Sequence, residues 1–378
     1  MELQVKDIGL YIHIPFCVSK CIYCDFLSGP ADYSGRAGYV KVLCQEIQDF
    51  AIEHSREYIV KTVFFGGGTP SVLENELMEK ILVTIRDNFI IAKDCEFTIE
   101  CNPGTVSYDK LQMYRELGVN RLSFGLQSAD DEELKRLGRI HTFRDFLESY
   151  EWAVKADFHN INADIMSGLM NQTVESYINT LNRVMPLGLS HISAYSLIIE
   201  EGTPLYSMYS SGNIILPDED VERQMYYDTL KVLSDYGYHR YEISNYAMEG
   251  FECRHNITYW KRGDYKGFGL GAASLIDNVR YSNVSDMKAY MEGGVPSSEI
   301  LTTDDCMAEF AFLGLRMMEG IDTEKFRNIF NRDYYDVYGD VTAGHISKGL
   351  LIKEGSRIKL TEKGIDVSNY VFSDFLLT

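Results

Sequence analysis

The sequence predicts an α/β fold, a partial TIM-type (β/α) barrel followed by a small winged-helix-like α+β domain. Two observations carry this reading. From residue 8 to about residue 200, six short β-branched runs alternate with longer stretches whose apolar residues recur at three and four positions. From about Cys306 the pattern changes to short helical stretches and one strand pair. Alternating βα units imply parallel strands joined by right-handed crossovers, and six of them suit a barrel better than a small open sheet.

The strands are expected at Ile8–Phe16, Val60–Phe65, Glu96–Cys101, Arg121–Leu126, Asn160–Ile165 and His191–Ile199. Between them, helices are expected at Tyr39–Ile52, Val72–Phe89, Tyr108–Leu117, Phe143–Ala156 and Val174–Met185. Gly118 follows Leu117 where a left-handed C-cap belongs, and Asp130-Asp131 open a helix whose positive end they complement. Pro217-Asp218-Glu219-Asp220 start another helix in the same way. A Gly- and Tyr-rich stretch over 251–285 interrupts the pattern. In the tail, Ala308–Met318, Lys325–Phe330 and Tyr334–Tyr338 read as helices. The segment from Gly349 to Gly364 reads as a strand pair, with a last helix after it. The expected division is a barrel over 1–240, a connecting segment over 241–305 and a C-terminal domain over 306–378.

The chain has 378 residues with 36 Lys and Arg against 56 Asp and Glu, a net charge of −20. Such a surface repels phosphate backbones, so nucleic acid is not expected as the partner. Hydrophobic residues at 45% exclude a disordered chain. Residues Met1 to Asp7 show no basic patch before an apolar core, and stretches such as Phe310–Leu315 fall short of the ~20 residues a spanning helix needs. The expectation is a cytoplasmic protein without direct membrane insertion.

Of eight cysteines, Cys17, Cys21 and Cys24 cluster with spacing C-x3-C-x2-C directly after the first strand, and five are scattered. Thiolates are soft donors that suit zinc or iron–sulfur clusters. A structural zinc site wants a fourth ligand nearby, and only Cys44, in a helical pattern, and His54 follow closely. Three cysteines on a four-iron cluster leave one iron without a protein ligand. An amino nitrogen and a carboxylate oxygen can take that place, which is the arrangement that reductive cleavage of S-adenosylmethionine requires.

The segment from Tyr11-Ile12-His13-Ile14-Pro15-Phe16-Cys17 to Cys24 resembles the radical S-adenosylmethionine (radical SAM) superfamily. Its first half is similar to the oxygen-independent coproporphyrinogen III oxidase branch, and the resemblance extends from Ile8 into the C-terminal domain. It implies a radical SAM barrel with a HemN-type accessory domain. It also implies a four-iron, four-sulfur cluster on Cys17, Cys21 and Cys24, S-adenosylmethionine as a second cofactor, and a reductant such as flavodoxin or ferredoxin. Gly66-Gly67-Gly68-Thr69-Pro70 looks like the glycine motif that holds the methionine amino group, through Gly67, Gly68 and Thr69. Glu100, Gln127 and Asp164 sit at strand ends, where a barrel carries its chemistry. With Arg139, able to grip a carboxylate in two-pronged fashion, and with Tyr11 and Tyr23, they match the family's contacts to S-adenosylmethionine. His13 reads as a hydrogen-bonding core residue and Cys101 as a packed thiol. Two departures stand out. Relatives read Gly-Leu-Pro-Gly-Gln-Thr where this chain has Gly168-Leu169-Met170-Asn171-Gln172-Thr173, and they often carry a histidine where it has Ala273.

Within the branch, the coproporphyrinogen dehydrogenases carry a further cysteine two positions after the third, and an N-terminal extension. Here Phe26 stands at that position, and the cysteine motif begins at residue 17. Arg254-His255-Asn256-Ile257-Thr258-Tyr259-Trp260 resembles the His-Asn-x-x-Tyr-Trp signature of the branch's haem chaperones, the HemW family. An imidazole is a common axial donor to haem iron, which makes His255 a candidate, and Tyr259 and Trp260 offer flat apolar area. Arg254, Lys261 and Arg262 form a basic patch suited to propionates. The resemblance implies haem or another porphyrin as cargo, passed to an acceptor protein such as a respiratory enzyme. The alternative is a coproporphyrinogen III dehydrogenase, an oxidoreductase that converts two propionates to vinyl groups.

Overall fold

The computed structural model describes residues 5–377, so Met1–Gln4 of the N-terminal reading and Thr378 lie outside the described residues. Six parallel strands form its centre: β1 (Lys6–Ile14), β2 (Tyr58–Gly67), β3 (Ile91–Cys101), β4 (Arg121–Gln127), β5 (Asn160–Ser167) and β6 (His191–Ser196). They alternate with α1 (Tyr33–His54), α2 (Asn75–Asn88), α3 (Tyr108–Glu116), α4 (Asp131–Arg136), α5 (Phe143–Lys155) and α6 (Val174–Val184), and α7 (Pro204–Ser210) and α8 (Glu219–Asp235) follow. The expected partial barrel is present.

Side chains alternate across a strand, and here the alternation separates two environments. Phe97, Ile99 and Cys101 of β3, Leu122, Phe124 and Leu126 of β4, and Ile161, Ala163 and Ile165 of β5 belong to one buried apolar core. Their neighbours Glu96, Thr98 and Glu100, Arg121, Ser123 and Gln127, and Asn162 and Asp164 face the opposite way. The barrel therefore has an apolar outer layer under its helices and a polar interior. Local signals end the elements as the sequence implies. Asp130 accepts from the Glu132 and Glu133 amides at 2.8 and 3.0 Å. Gly118 adopts φ +89°, the left-handed C-cap.

The segment 241–305 extends the sheet at both ends. β7 (His239–Glu242) and β8 (Asn245–Ala247) add antiparallel beside β6. After α9 (Arg254–Trp260), β9 (Tyr265–Phe268) pairs parallel with β1, and β10 (Ala273–Ile276), β11 (Val279–Ser282), α10 (Met287–Met291) and β12 (Ser297–Ile300) continue outward. The result is a twelve-stranded sheet. The Gly- and Tyr-rich stretch thus has a regular architecture of its own, built from strands of only four residues.

The C-terminal domain comprises α11 (Thr303–Arg316), β13 (Ile321–Asp322), α12 (Thr323–Phe330), α13 (Tyr334–Ser347), β14 (Leu351–Glu354), β15 (Arg357–Leu360), α14 (Glu362–Asp366) and α15 (Ser368–Ser373). Its three strands form a separate sheet, and Met307, Phe326, Tyr338, Ile358 and Phe375 form its own core. Among the described residues, no helix is long and apolar enough to cross a membrane.

Candidate cofactor site

The loop between β1 and α1 carries the three cysteines. It is pinned at its base by Cys17 N donating to Gly29 O (3.1 Å) and Gly29 N to Pro15 O (3.0 Å), and at its middle by Ile22 N to Leu137 O (3.2 Å). The three thiols are half-buried, whereas the other five cysteines are buried. Burial pushes the Cys21 and Cys24 thiols up, against the pull of Arg139 on Cys21 and Lys20 on Cys24. Among the described residues, no three His, Cys, Asp or Glu side chains gather around one point as a single metal ion requires. A cubane makes no such demand, because each thiolate takes a different iron. The donor set, three half-exposed thiols on one loop, fits such a cluster.

Behind the loop lies a cavity of about 350 Å³, lined by all three cysteines and by Tyr23, Gly67, Gly68, Thr69, Glu100, Gln127, Arg139 and Asp164. Eight of the nine residues expected to meet S-adenosylmethionine therefore share one wall. The ninth, Tyr11, is absent from that wall. Its hydroxyl hydrogen-bonds His13 Nδ1 at 3.1 Å, and His13 Nε2 meets Leu27 O at 3.0 Å. His13 is the hydrogen-bonding core residue expected, and Tyr11 is its partner. Gly67 explains the glycine motif. Its φ is +106°, and a Cβ there would stand 2.5 Å from the His13 ring.

The cavity's electrostatics fit a zwitterionic, cationic ligand. Glu100 is pushed up to about 8, chiefly by burial and then by Asp164, whose own carboxyl is raised by burial. Neither has an ion-pair partner among the described residues, so both favour a cation or hydroxyls supplied by a ligand. Arg139 donates from Nη1 to Asn102 Oδ1 (2.9 Å) and from Nη2 to Tyr23 Oη (2.7 Å), while its buried Nε has no partner among the described residues. Such an orphaned donor suits a ligand carboxylate. Gln127 carries φ +71° at a register shift between β4 and β5, and its Oε1 accepts from Tyr195 at 3.1 Å. Irregular backbone of this kind re-aims side chains beside functional sites.

Asn102, Ser123, Ser193, Tyr195, Asn245 and Asn256 also line the cavity and were not expected there. For Asn102, Ser123, Ser193 and Tyr195 the signal is their even spacing from Glu100, Gln127 or His191 along one strand face. A directed chain of hydrogen bonds stands under the site. Cys253 N donates to Tyr241 Oη (3.2 Å), Tyr241 to His191 Nε2 (2.9 Å), His191 Nδ1 to Asn162 Oδ1 (2.7 Å), and Asn162 Nδ2 to Asp164 Oδ1 (2.8 Å).

The His-Asn-x-x-Tyr-Trp segment is helix α9, and it enters the barrel. Buried Glu96 caps it, accepting from Arg254 N at 2.9 Å and His255 N at 3.0 Å. His255 is buried, stacks on Phe64, and engages both ring nitrogens, with Thr62 Oγ1 at 2.8 Å and Tyr259 Oη at 2.7 Å. Burial brings it down to about 3, so it is neutral. In this arrangement both ring nitrogens are engaged within the protein, so an axial bond from His255 to haem iron would require one of these hydrogen bonds to open. Tyr259 is tied to the same imidazole, and Trp260 packs under the Arg316 guanidinium, 4.3 Å from its ring. Arg254 and Lys261 form exposed pairs with Asp94 and Glu319, whereas Arg262 is held in a largely buried pair with Glu309. His255→Ala is expected to cost about 3 kcal/mol of stability, read as a lower melting temperature, because it opens a cavity and strands two hydroxyls.

Comparison with known proteins agrees with this geometry. The Radical SAM superfamily model matches residues 11–184, and the HemN C-terminal domain model matches 301–367. The chain is 36% identical over 376 residues to the heme chaperone HemW of Lactococcus lactis, covering 98% of each protein. It is 37% identical over 378 residues to that of Bacillus subtilis, covering 97% of this chain and 98% of the relative. Its fold matches the radical SAM coproporphyrinogen III oxidase HemN of Escherichia coli with a TM-score of 0.86 at 23% identity, over 98% of this chain and 90% of that one. A cysteine loop above a cavity of unpaired acids, on a barrel shared with HemN and at full-length similarity to HemW proteins, leads to one assignment: the chain belongs to the HemW family of the radical SAM superfamily.

Proposed function

We propose that the protein is a haem chaperone that holds a four-iron cluster, S-adenosylmethionine and haem, and passes haem to an acceptor protein. Full-length similarity to HemW proteins is the observation that carries this reading. Cys17, Cys21 and Cys24 would each take one iron and leave the fourth open. Gly67, Gly68 and Thr69 would receive the methionine amino end, Arg139 the carboxylate, and Glu100 with Asp164 the cationic and hydroxyl-bearing parts of the ligand. The cluster, when bound, supplies an electron for reductive cleavage of the sulfonium. Phe26 supports the chaperone reading over the dehydrogenase. It stands where the dehydrogenases have a further cysteine, is 60% exposed, and lies on the cavity rim. Val18 and Ile140, 57% and 65% exposed, line the adjoining cleft and extend this apolar rim.

The test is one anaerobically reconstituted preparation, divided between a haemin titration and a coproporphyrinogen assay with dithionite and S-adenosylmethionine. The expected result is a saturable Soret band with no protoporphyrinogen formed. Protoporphyrinogen without haemin binding would overturn the proposal in favour of the dehydrogenase.

A further inference from the structure

We propose that His191, at the start of β6, is a positioning residue for S-adenosylmethionine: through Asn162 it fixes the direction in which the Asp164 carboxylate meets the ligand. This rests on the reading of Asp164 as a contact to the nucleotide, and extends it to a residue behind the cavity wall. Asp164 lines the cavity, whereas Asn162, His191 and Tyr241 do not. Those three are buried, and His191 is fully enclosed.

The direction of every bond in the chain under the site follows from its far end. A backbone N–H can only donate, so Tyr241 Oη, 3.2 Å from Cys253 N, accepts there and has one proton left to give. His191 Nε2, at 2.9 Å, receives it. Burial, and then the Arg121 charge, hold His191 well below the ordinary histidine range, so its ring is neutral. A neutral imidazole whose Nε2 accepts carries its proton on Nδ1, and that N–H meets Asn162 Oδ1 at 2.7 Å. Ser193 adds a longer bond to the same oxygen, at 3.3 Å. The Asn162 amide is thereby set with its oxygen towards β6. Its two N–H groups are left for Ser123 Oγ at 2.7 Å and Asp164 Oδ1 at 2.8 Å.

The strand register brings the parts together. Across β5 and β6, Asn162 pairs with His191 and Asp164 with Ser193, and Asn162 and Asp164 lie on the same strand face. Burial raises the Asp164 carboxyl, and the Asn162 bond acts against that rise. A reversed Asn162 amide would turn its oxygen on the carboxylate, setting two acceptors against each other in a buried site. Holding Oδ1 limits the carboxylate to one orientation at the cavity wall, so a ligand does not have to order it on binding. Tyr241 belongs to β7 and Cys253 is the N-cap of α9, so the segment that closes the barrel also sets this orientation.

Calorimetric titration of the full-length, cluster-loaded protein with S-adenosylmethionine, run as a double-mutant cycle with Asp164→Ala, tests the proposal. His191→Leu is expected to weaken binding about tenfold in the parent background and less than about twofold in the Asp164→Ala background, with iron content unchanged. Tyr241→Phe deletes one hydroxyl and keeps the ring, and is expected to cost about threefold, again only while Asp164 is present. His191→Asn, whose amide can donate where Nδ1 does, is expected to bind within about threefold of the parent. General damage to the barrel would give losses of equal size in both backgrounds. That result, or parent-like affinity of both His191→Leu and Tyr241→Phe, would overturn the role of His191 and leave the nucleotide site standing. Parent-like affinity of Asp164→Ala would overturn the reading of Asp164 as well.

Discussion

Replacing Cys17, Cys21 or Cys24 singly with serine is expected to bring iron and acid-labile sulfide to background and to abolish S-adenosylmethionine binding. The same change at Cys44, Cys95, Cys101, Cys253 or Cys306 leaves the iron content intact. The contrast follows from position. The first three thiols are half-exposed on one loop at the mouth of the cavity, whereas the other five are buried. A cluster held by three ligands has none to spare, and the open iron that would receive the amino acid end of the nucleotide disappears with it. Iron and sulfide analysis, with the visible absorption of anaerobically prepared protein, checks each variant. Retention of full iron by a Cys21 variant would contradict the assignment.

Glu100→Gln is expected to weaken S-adenosylmethionine binding by about 1.5–3 kcal/mol, the range for hydrogen bonds to charged groups, or about tenfold to a hundredfold or more. The pH dependence is the sharper readout. Burial and Asp164 hold Glu100 up to about 8, so below that pH its carboxyl is protonated before a cation arrives. Binding the cation favours the ionised form, and one proton is released. Affinity of the parent protein therefore rises with pH by up to about tenfold per unit below pH 8, then levels above it. The glutamine variant shows no such rise. Calorimetry in buffers of different ionisation enthalpy measures the released proton directly. A flat pH profile in the parent protein would rule Glu100 out as the group facing the ligand's charge.

How much of this was legible beforehand depends on the range of the interactions involved. The βα alternation and the cysteine spacing are local, and the structure places both as the sequence implies. Strand ends mark Glu100 and Gln127, because parallel strands of a barrel open onto one face, whereas β5 runs on to Ser167 and leaves Asp164 three residues inside it. Asn102, Ser123, Ser193 and Tyr195 escape that rule. Period-two polarity along β3, β4 and β6 would have found them, since a polar residue at every second position must face something polar. The departure at Met170-Asn171 is also local. Asn171 adopts φ +58°, the left-handed conformation that asparagine tolerates, so this turn keeps the backbone that a glycine would supply.

Helix α9 was beyond reach. Its histidine and aromatic residues next to Arg254, Lys261 and Arg262 read as a candidate haem site. Only the fold brings Glu96 to the His255 amide across 159 positions, and Thr62 to its ring across 193. The segment still touches the cofactor cavity, through Asn256 rather than through the histidine.

The account stands or falls on a cluster with one iron free for S-adenosylmethionine. Mössbauer spectroscopy of iron-57-reconstituted protein, recorded without and with S-adenosylmethionine, tests this most directly. Iron in a four-iron cluster, with about one quarter of the signal shifting to a distinct, higher-coordinate site on addition of the nucleotide, is the result the three-cysteine loop predicts. A spectrum unchanged by the nucleotide, or a preparation carrying stoichiometric zinc and no cluster iron, would contradict it.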